Sequence, residues 1–247
     1  MWTFFSRTSN KNNLNWMGVD MHSHLLPGLD DGCKTIDESL TLIERVADLG
    51  ISKFHFTPHI FTEMYPNDKV TIDKSYHSLL GKGLNDVISG YAAEYMTDTT
   101  FDHYISHNNE NILSLPGKYV LIEMSYMQEN KQIEKIIFDL QVKGYSPILA
   151  HPERYVYYHN SPEKIVRFKE IGCFLQMNLL SAIGYYGSHE KKIAKFLSSN
   201  GLIDLVGTDI HHERHVNAIE QGLKKINFQS YFKNCRILNE ELFGAPK

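Results

Sequence analysis

The 247-residue sequence has few cysteines, no long hydrophobic run and no excess of basic residues. Its three cysteines, Cys33, Cys173 and Cys235, are odd in number and widely spaced, so we do not expect a disulfide framework. Lys and Arg number 25 against 29 Asp and Glu, which gives a formal charge of −4 without the basic stripe typical of nucleic-acid-binding proteins. No segment reaches the ~18 apolar residues of a membrane helix, and the N-terminus lacks the apolar core of a signal peptide. We therefore expect a cytoplasmic protein with no nucleic-acid partner and no direct membrane insertion.

Sequence motifs of several phosphate-handling enzyme classes are also missing. No cysteine is followed six residues later by arginine, which excludes the loop of cysteine-nucleophile phosphatases. No two aspartates are separated by a single residue, which excludes an aspartyl-phosphate D-x-D site. The phosphate-binding motifs G-x-x-x-x-G-K-[ST] and G-x-G-x-x-G are absent as well.

Histidine, in contrast, occurs thirteen times, and apolar residues make up 42% of the chain, enough for a buried core. About seven apolar strands alternate with helices or helix-like segments; one helix follows a T-x-x-E capping box at Thr35, and another is expected over residues 69–88. This alternation is typical of an α/β fold with a parallel sheet and helices outside. No linker or repeat interrupts it, so we expect one domain, residues 18–247, preceded by an N-terminal arm, residues 1–17.

Side chains of metal-binding type follow six of the predicted strands. They are His22, His24, His59, Glu94, Glu123, His151, Asp209 and His211. The remaining strand ends instead with Gln176 and Asn178. In a βα barrel the carboxyl ends of the strands converge on one face, whereas in an open sheet they are spread along a line. A closed barrel would therefore gather these side chains into one pocket, and we favour it over an open sheet.

The spacing and residue types within this set indicate a metal site. His22 and His24, like Asp209 and His211, are two residues apart and so share one face of a strand. Glu94 ends an apolar run, where a buried carboxylate needs a cation, either a metal ion or a Lys or Arg partner. Mixed imidazole and carboxylate ligands suit Zn, Mn or Fe, and there are too many candidates for a single ion. Clustered divalent ions favour in-line hydrolysis of a phosphate ester.

Seven short motifs carry a resemblance to a known family. They are Met21-His-Ser-His24, Asp30-Asp31-Gly32, Thr57-Pro-His59, Ala93-Glu94, Leu121-Ile-Glu123, Ala150-His151-Pro-Glu-Arg-Tyr155 and Gly207-Thr-Asp209-Ile-His211. In this order they resemble the polymerase and histidinol phosphatase (PHP) superfamily, and within it the bacterial capsule-type, metal-dependent protein-tyrosine phosphatases. The resemblance runs from about residue 18 to 215. It implies a distorted seven-stranded, TIM-like (β/α)7 barrel.

The same resemblance implies three divalent metal ions, with manganese expected first and iron, zinc or magnesium as alternatives. The implied ligands are His22, His24, Glu94 and Asp209 for the first ion; Glu94 again, with Glu123 and His151, for the second; and Asp31, His59 and His211 for the third. Many members of the superfamily have histidine at the position of Asp31. The aspartate favours the tyrosine-phosphatase branch over histidinol phosphatases.

The resemblance also implies a mechanism and substrate contacts. Arg154 matches an arginine that binds the phosphate, and a metal-bound hydroxide attacks phosphorus in line without a phosphoenzyme. Asp209 and His211 complete the implied catalytic set, with His211 or a bound water as proton donor. Arg214 is the nearest match to a second family arginine, and His212 or His215 are alternatives for that contact.

The implied substrate is phosphotyrosine on the tyrosine-rich tail of a membrane-associated bacterial kinase that controls capsular or exopolysaccharide synthesis and export. Three other functions stay open. A small-molecule phosphatase, such as one for histidinol phosphate, would use the same metals with a different pocket rim. A nuclease or a polymerase proofreading domain is disfavoured by the acidic charge balance. A non-catalytic regulator that binds the kinase tail is disfavoured by the complete ligand set.

Overall fold

The computed structural model describes residues 12–107 and 112–244, in which parallel strands alternate with helices. In this part of the chain the strands are β1 (Val19–Asp20), β2 (Lys53–Phe56), β3 (His59–Ile60), β4 (Ile88–Tyr91), β5 (Glu94–Met96), β6 (Tyr119–Glu123), β7 (Ser146–Ala150), β8 (Phe174–Asn178) and β9 (Leu205–Gly207). The helices are α1 (Ile36–Asp48), α2 (Lys69–Leu79), α3 (Thr99–His107), α4 (Ile133–Val142), α5 (Glu163–Glu170), α6 (Ser188–Ser199), α7 (Glu213–Lys225), α8 (Phe228–Tyr231) and α9 (Asn239–Phe243).

These strands form two parallel sheets, with the orders β1-β2-β4 and β3-β5-β6-β7-β8-β9. The prediction of an α/β fold with a parallel sheet is thus confirmed. Backbone hydrogen bonds also join the segments that follow the first and last strands: His24 N–H donates to the Ile210 carbonyl (2.9 Å), and Asp209 N–H donates to the His22 carbonyl (2.8 Å). Residues that are far apart in sequence therefore lie side by side at the carboxyl ends of the strands.

Both faces of the central strands are apolar, because successive side chains of a strand point to opposite sides. In β6, Val120 and Ile122 pack with the main core, whereas Leu121 lies in a second, smaller cluster with residues of β1, β7 and β9. Phe243 of α9 is buried in this smaller cluster. The C-terminal helix α9 therefore packs against the strands.

The helix predicted over residues 69–88 begins at Lys69 as expected but is too long, because α2 ends at Leu79 and β4 begins at Ile88. Gly81 and Gly83 have φ values of 75° and 96°, a left-handed conformation that ends a right-handed helix. The division of the chain at residue 17 stays a prediction: residues 1–11 lie outside the described residues, while Leu14 and Met17 are buried. Among the described helices, none is both long enough and apolar enough to cross a bilayer.

Tyr155 ties the end of β6 to the end of β7. Its hydroxyl is buried, accepts a hydrogen bond from Met124 N–H (3.1 Å) and donates one to the Ala150 carbonyl (2.9 Å). We expect Tyr155→Phe to lower the free energy of unfolding by about 1–3 kcal/mol, because two buried backbone groups lose their partner. Urea unfolding measures this change. Tyr157→Phe is the control, because that hydroxyl bonds the Ser125 carbonyl at the surface, and equal losses in the two variants would contradict the assignment.

Candidate metal centre

All nine metal ligands expected from the sequence lie at the carboxyl ends of the strands and contact one another. We call them the donor cluster: His22, His24, Asp31, His59, Glu94, Glu123, His151, Asp209 and His211. His22 and His24 follow β1, while Asp209 and His211 follow β9. The backbone hydrogen bonds between these two segments bring the two i, i+2 pairs together. The structure thus brings together the eight side chains that the strand ends predict and Asp31, which the family resemblance adds.

Glu94 lies at the centre of the donor cluster. Its Oε2 is 3.2 Å from His22 Nε2, 3.3 Å from His24 Nε2 and 3.1 Å from His59 Nδ1. Its Oε1 is 3.0 Å from His151 Nε2. One carboxylate therefore faces four imidazoles, and it is fully buried.

The remaining carboxylates surround this centre. Asp209 Oδ1 lies 3.4 Å from His22 Nε2 and 3.3 Å from His24 Nε2. Glu123 Oε1 lies 3.0 Å from His59 Nδ1. Asp31 Oδ1 lies 3.6 Å from His59 Nε2 and 3.5 Å from His211 Nε2; with 53% of its side chain exposed, Asp31 marks the solvent side.

The donor set fits divalent metal ions. Its ligand atoms form four overlapping groups, and within each group all atoms lie within 4.8 Å of one another. Glu94 Oε2 is buried and accepts no hydrogen bond from any described residue, and the Nε2 atoms of His22 and His24 are only 3.4 Å apart. Buried acceptors that face a common point need a cation between them. Imidazole and carboxylate ligands suit Zn, Mn and Fe.

Two members of the donor cluster have an unfavourable backbone conformation. Among the described non-glycine residues only three have positive φ; two of them are His151 at 32° and Asp209 at 51°. Each such residue costs on the order of 1–3 kcal/mol, and this kind of strain is concentrated at functional sites. In both residues the positive φ directs the side chain from a strand end into the donor cluster.

The buried imidazoles and carboxylates of the donor cluster stabilise each other's charged forms. Burial lowers the pKa of His22, but the carboxylates of Glu94 and Asp209 outweigh burial and raise it. Burial raises the pKa of Glu94, but His22 and His59 outweigh it and hold the pKa well below its usual range. Burial and the nearby His24 lower the pKa of His211 to about 4, so His211 is neutral at pH 7. A bound cation would displace protons from the imidazoles whose pKa is raised, such as that of His22, so metal binding would release protons.

Asp30 contacts the donor cluster, although no role for it was predicted. Its Oδ2 accepts a hydrogen bond from His24 Nδ1 (2.8 Å), which leaves His24 Nε2 free to face the donor cluster. The same carboxylate accepts from the backbone N–H groups of Gly32 and His59, both at 2.9 Å. The signal for it was present, because Asp30 lies within the Asp30-Asp31-Gly32 motif.

Arg154 lies beside the donor cluster with its guanidinium between two tyrosine rings. Its Cζ is 4.2 Å from the ring centroids of both Tyr126 and Tyr186, and its Nη1 donates to Asp209 Oδ2 (3.0 Å). The side chain is 19% exposed and lines an open cavity of about 530 Å³ that also reaches His59 and His211. The arginine is thus held rigidly at the mouth of the donor cluster.

The three candidates for a second phosphate contact lie in two different environments. Arg214 is exposed in the first turn of α7 and is not among the residues that line this cavity. His212 and His215 do line it, with ring centroids 4.0 Å apart. His215 Nδ1 accepts a hydrogen bond from His211 N–H (3.2 Å), so its proton is on Nε2.

Comparison with known proteins identifies the family of this chain. The model of the family described as "Capsular polysaccharide synthesis, CpsB/CapC" matches residues 18–234. The chain belongs to the CpsB/CapC family. This membership confirms the resemblance to capsule-type proteins.

Relatives of this CpsB/CapC chain carry informative names. It is 27% identical over 205 residues to tyrosine-protein phosphatase YwqE of Bacillus subtilis (strain 168), covering 81% of this chain and 79% of YwqE. It is 26% identical over 203 residues to tyrosine-protein phosphatase CpsB of Streptococcus pneumoniae, covering 78% and 83%.

A solved structure also matches, from work on YwqE of Bacillus subtilis and CpsB of Streptococcus pneumoniae that describes them as unique metal-dependent tyrosine phosphatases. The TM-score is 0.73 at 24% identity, over 93% of this chain and 100% of the other. This similarity shows a shared fold.

Proposed function

We propose that this chain is a metal-dependent protein-tyrosine phosphatase. The observation that carries the proposal is the placement of nine converging imidazole and carboxylate groups beside a rigidly held arginine at an open cavity. The relatives named tyrosine-protein phosphatases support the choice of phosphotyrosine as substrate. Family membership supports a role in capsular polysaccharide synthesis, and we propose the tyrosine-rich tail of a membrane-associated kinase as the partner, met in the cytoplasm.

We propose three divalent ions, manganese first, held as the family resemblance implies. The ligands would be His22, His24, Glu94 and Asp209; Glu94, Glu123 and His151; and Asp31, His59 and His211. When bound, such ions make water nucleophilic near neutral pH and stabilise charge on phosphoryl oxygens. The four overlapping donor groups support more than one ion.

The chain's own residues bind and orient the substrate. Arg154 would donate charge-assisted hydrogen bonds to the phosphate, because its charged guanidinium lies between Tyr126 and Tyr186 at the mouth of the donor cluster. The cavity is lined by Tyr65, Met64 and other apolar side chains, which suit the aryl ring of phosphotyrosine. We propose His212 as a further phosphate contact. Arg214 is exposed and outside the cavity lining, so its predicted phosphate contact would require the loop before α7 to move.

The protonation state of His211 is compatible with a phenolate leaving group. His211 is neutral, and its Nδ1–H faces the Asp209 carbonyl (2.9 Å), so its Nε2 carries a lone pair rather than a proton. That tautomer favours the role of metal ligand over the predicted role of proton donor. A tyrosine hydroxyl has a pKa of ~10, so phenolate departs with less need for a proton than an alkoxide does.

We also propose that the two sheets are parts of one distorted (β/α)7 barrel. β2 continues into β3 through Thr57-Pro58, and β4 continues into β5 through Ala92-Ala93. The nine strands therefore follow seven paths. The hydrogen bonds between residues 22–24 and 209–210 link the first path to the last, which supports closure.

Turnover of a phosphotyrosyl peptide with and without chelator tests the proposed activity. Metal-assisted stabilisation amounts to several kcal/mol, so we expect chelation to slow hydrolysis on the order of 10³-fold and added Mn²⁺ to restore it. Chelation should also lower Tm, because ions that bind only the folded state stabilise it. Histidinol phosphate is the parallel substrate. Preferred turnover of histidinol phosphate, or hydrolysis indifferent to chelator, would reject the proposal, and a metal-loaded protein without any turnover would support the non-catalytic regulator.

A further inference from the structure

β8 ends with two buried amides instead of metal ligands. Gln176 and Asn178 are two residues apart, so both side chains lie on the same face of the strand. Both residues are fully buried. The proposed activity gives neither residue a task, although both lie against the donor cluster.

The two amides connect His22 to Asp209 through three hydrogen bonds. His22 Nδ1 is 2.8 Å from Gln176 Oε1. Gln176 Nε2 donates to Asn178 Oδ1 (3.0 Å), and Asn178 Nδ2 donates to Asp209 Oδ2 (2.6 Å). We call this chain of contacts the amide bridge.

The direction of the amide bridge is determined by its carboxylate end. Because ionised Asp209 only accepts hydrogen bonds, Asn178 must present its NH₂ group to it, which leaves Asn178 Oδ1 as an acceptor. Gln176 must then donate its NH₂ group to that oxygen, which leaves Gln176 Oε1 to accept. His22 must therefore carry a proton on Nδ1.

We propose that Gln176 and Asn178 are positioning residues that hold His22 and Asp209 in metal-binding form. With Nδ1 donating to Gln176, the Nε2 atom of His22 is left for a ligand bond. With Oδ2 occupied by Asn178, the Oδ1 atom of Asp209 faces His22 Nε2 at 3.4 Å. The inference rests on the proposed metal site, and it explains why a strand end without ligands is polar. Asp30 holds His24 in the same way.

The surrounding fold accommodates and anchors the bridge. A Cβ atom at Gly207 would lie 2.6 Å from His22 Cβ and 2.8 Å from Gln176 Nε2, so only glycine leaves room there. On the other side, Glu153 Oε1 accepts hydrogen bonds from Asn178 N–H (3.0 Å) and Ser181 Oγ (2.6 Å), which secures the end of β8. The bridge is thus bounded by Gly207 on one side and anchored through the Glu153 carboxylate on the other.

Mn²⁺ titration of metal-free protein by calorimetry tests this inference independently of turnover. Gln176→Met keeps the side-chain length but removes both hydrogen bonds. We expect at least one Mn²⁺ site to weaken about 10–100-fold, the usual effect of removing a group that orients a metal ligand. Gln176→Glu still accepts from His22 Nδ1, so it should keep more of the affinity than Gln176→Met.

Asn239→Leu is the matched control. Asn239 is also a fully buried amide, but it bonds the backbone of Val19 and Val206. The Asn239→Leu variant should have a lower Tm and an unchanged Mn²⁺ affinity. Wild-type affinity in Gln176→Met, equal losses in Gln176→Met and Gln176→Glu, or an equal loss in Asn239→Leu would overturn the inference. A wild-type protein that binds Mn²⁺ without hydrolysing the phosphotyrosyl peptide would reject the proposed activity alone, because the affinity differences would still be measured.

Discussion

The Glu94→Gln variant is expected to lose phosphotyrosine hydrolysis by about three orders of magnitude or more, since several kcal/mol of transition-state stabilisation depend on the ions. Glu94 contacts His22, His24, His59 and His151 and belongs to two of the four donor groups. An amide of the same shape removes the central negative charge. It also places an N–H donor where lone pairs now converge. Both the metal affinity and the metal count should therefore fall.

Metal content by mass spectrometry, measured beside peptide turnover, checks this expectation. Glu129→Gln is the control, because Glu129 is partly buried near the same strand ends but pairs with Lys131 and Tyr158 instead of the donor cluster. It should keep both activity and metal. Normal turnover with a full metal complement in Glu94→Gln would remove Glu94 from the ligand set.

Eight of the nine donor residues could be identified from sequence because their placement depends on local geometry, whereas Asp31 was identified only through the family resemblance. The i, i+2 spacing at His22 and His24 places two imidazoles on one face, and parallel strands bring their carboxyl ends to one side. The end of α2 at Leu79 was missed because it depends on backbone dihedral angles rather than on side-chain spacing. Gly81 and Gly83 already weaken the helical pattern of residues 69–88, but their left-handed φ values, which end the helix, are visible only in the structure.

Contacts between distant segments could not be predicted. Tyr126 and Tyr186 lie on either side of Arg154 in space, yet each is about thirty residues from it in the chain. Their aromatic character alone favours loop packing as much as any function. The amide bridge is similar, because Gln176 is 154 residues from His22. Such roles follow from tertiary packing that period and propensity do not encode.

The Arg154→Met variant is expected to lose about 10²–10⁴-fold in kcat/KM, because two hydrogen bonds to a charged phosphate are worth about 1.5–3 kcal/mol each. Methionine has a similar length but neither donors nor charge. Asp209 Oδ2 would lose one partner and keep Asn178. The metal content should therefore stay at the wild-type level, which separates this variant from Glu94→Gln.

Arg214→Met provides the comparison that distinguishes the two arginines. Arg214 is exposed and lies outside the cavity lining, whereas Arg154 is clamped within it. Steady-state kinetics with a phosphotyrosyl peptide should therefore show Arg214→Met within about threefold of wild type, because a side chain that does not touch the phosphate adds little to transition-state stabilisation. If instead Arg214→Met loses as much kcat/KM as Arg154→Met, the loop before α7 must close over the bound phosphate and bring Arg214 into contact with it. If Arg154→Met retains wild-type kinetics, the sandwiched guanidinium serves only to hold Asp209, and phosphate recognition must come from His212 and the metal ions.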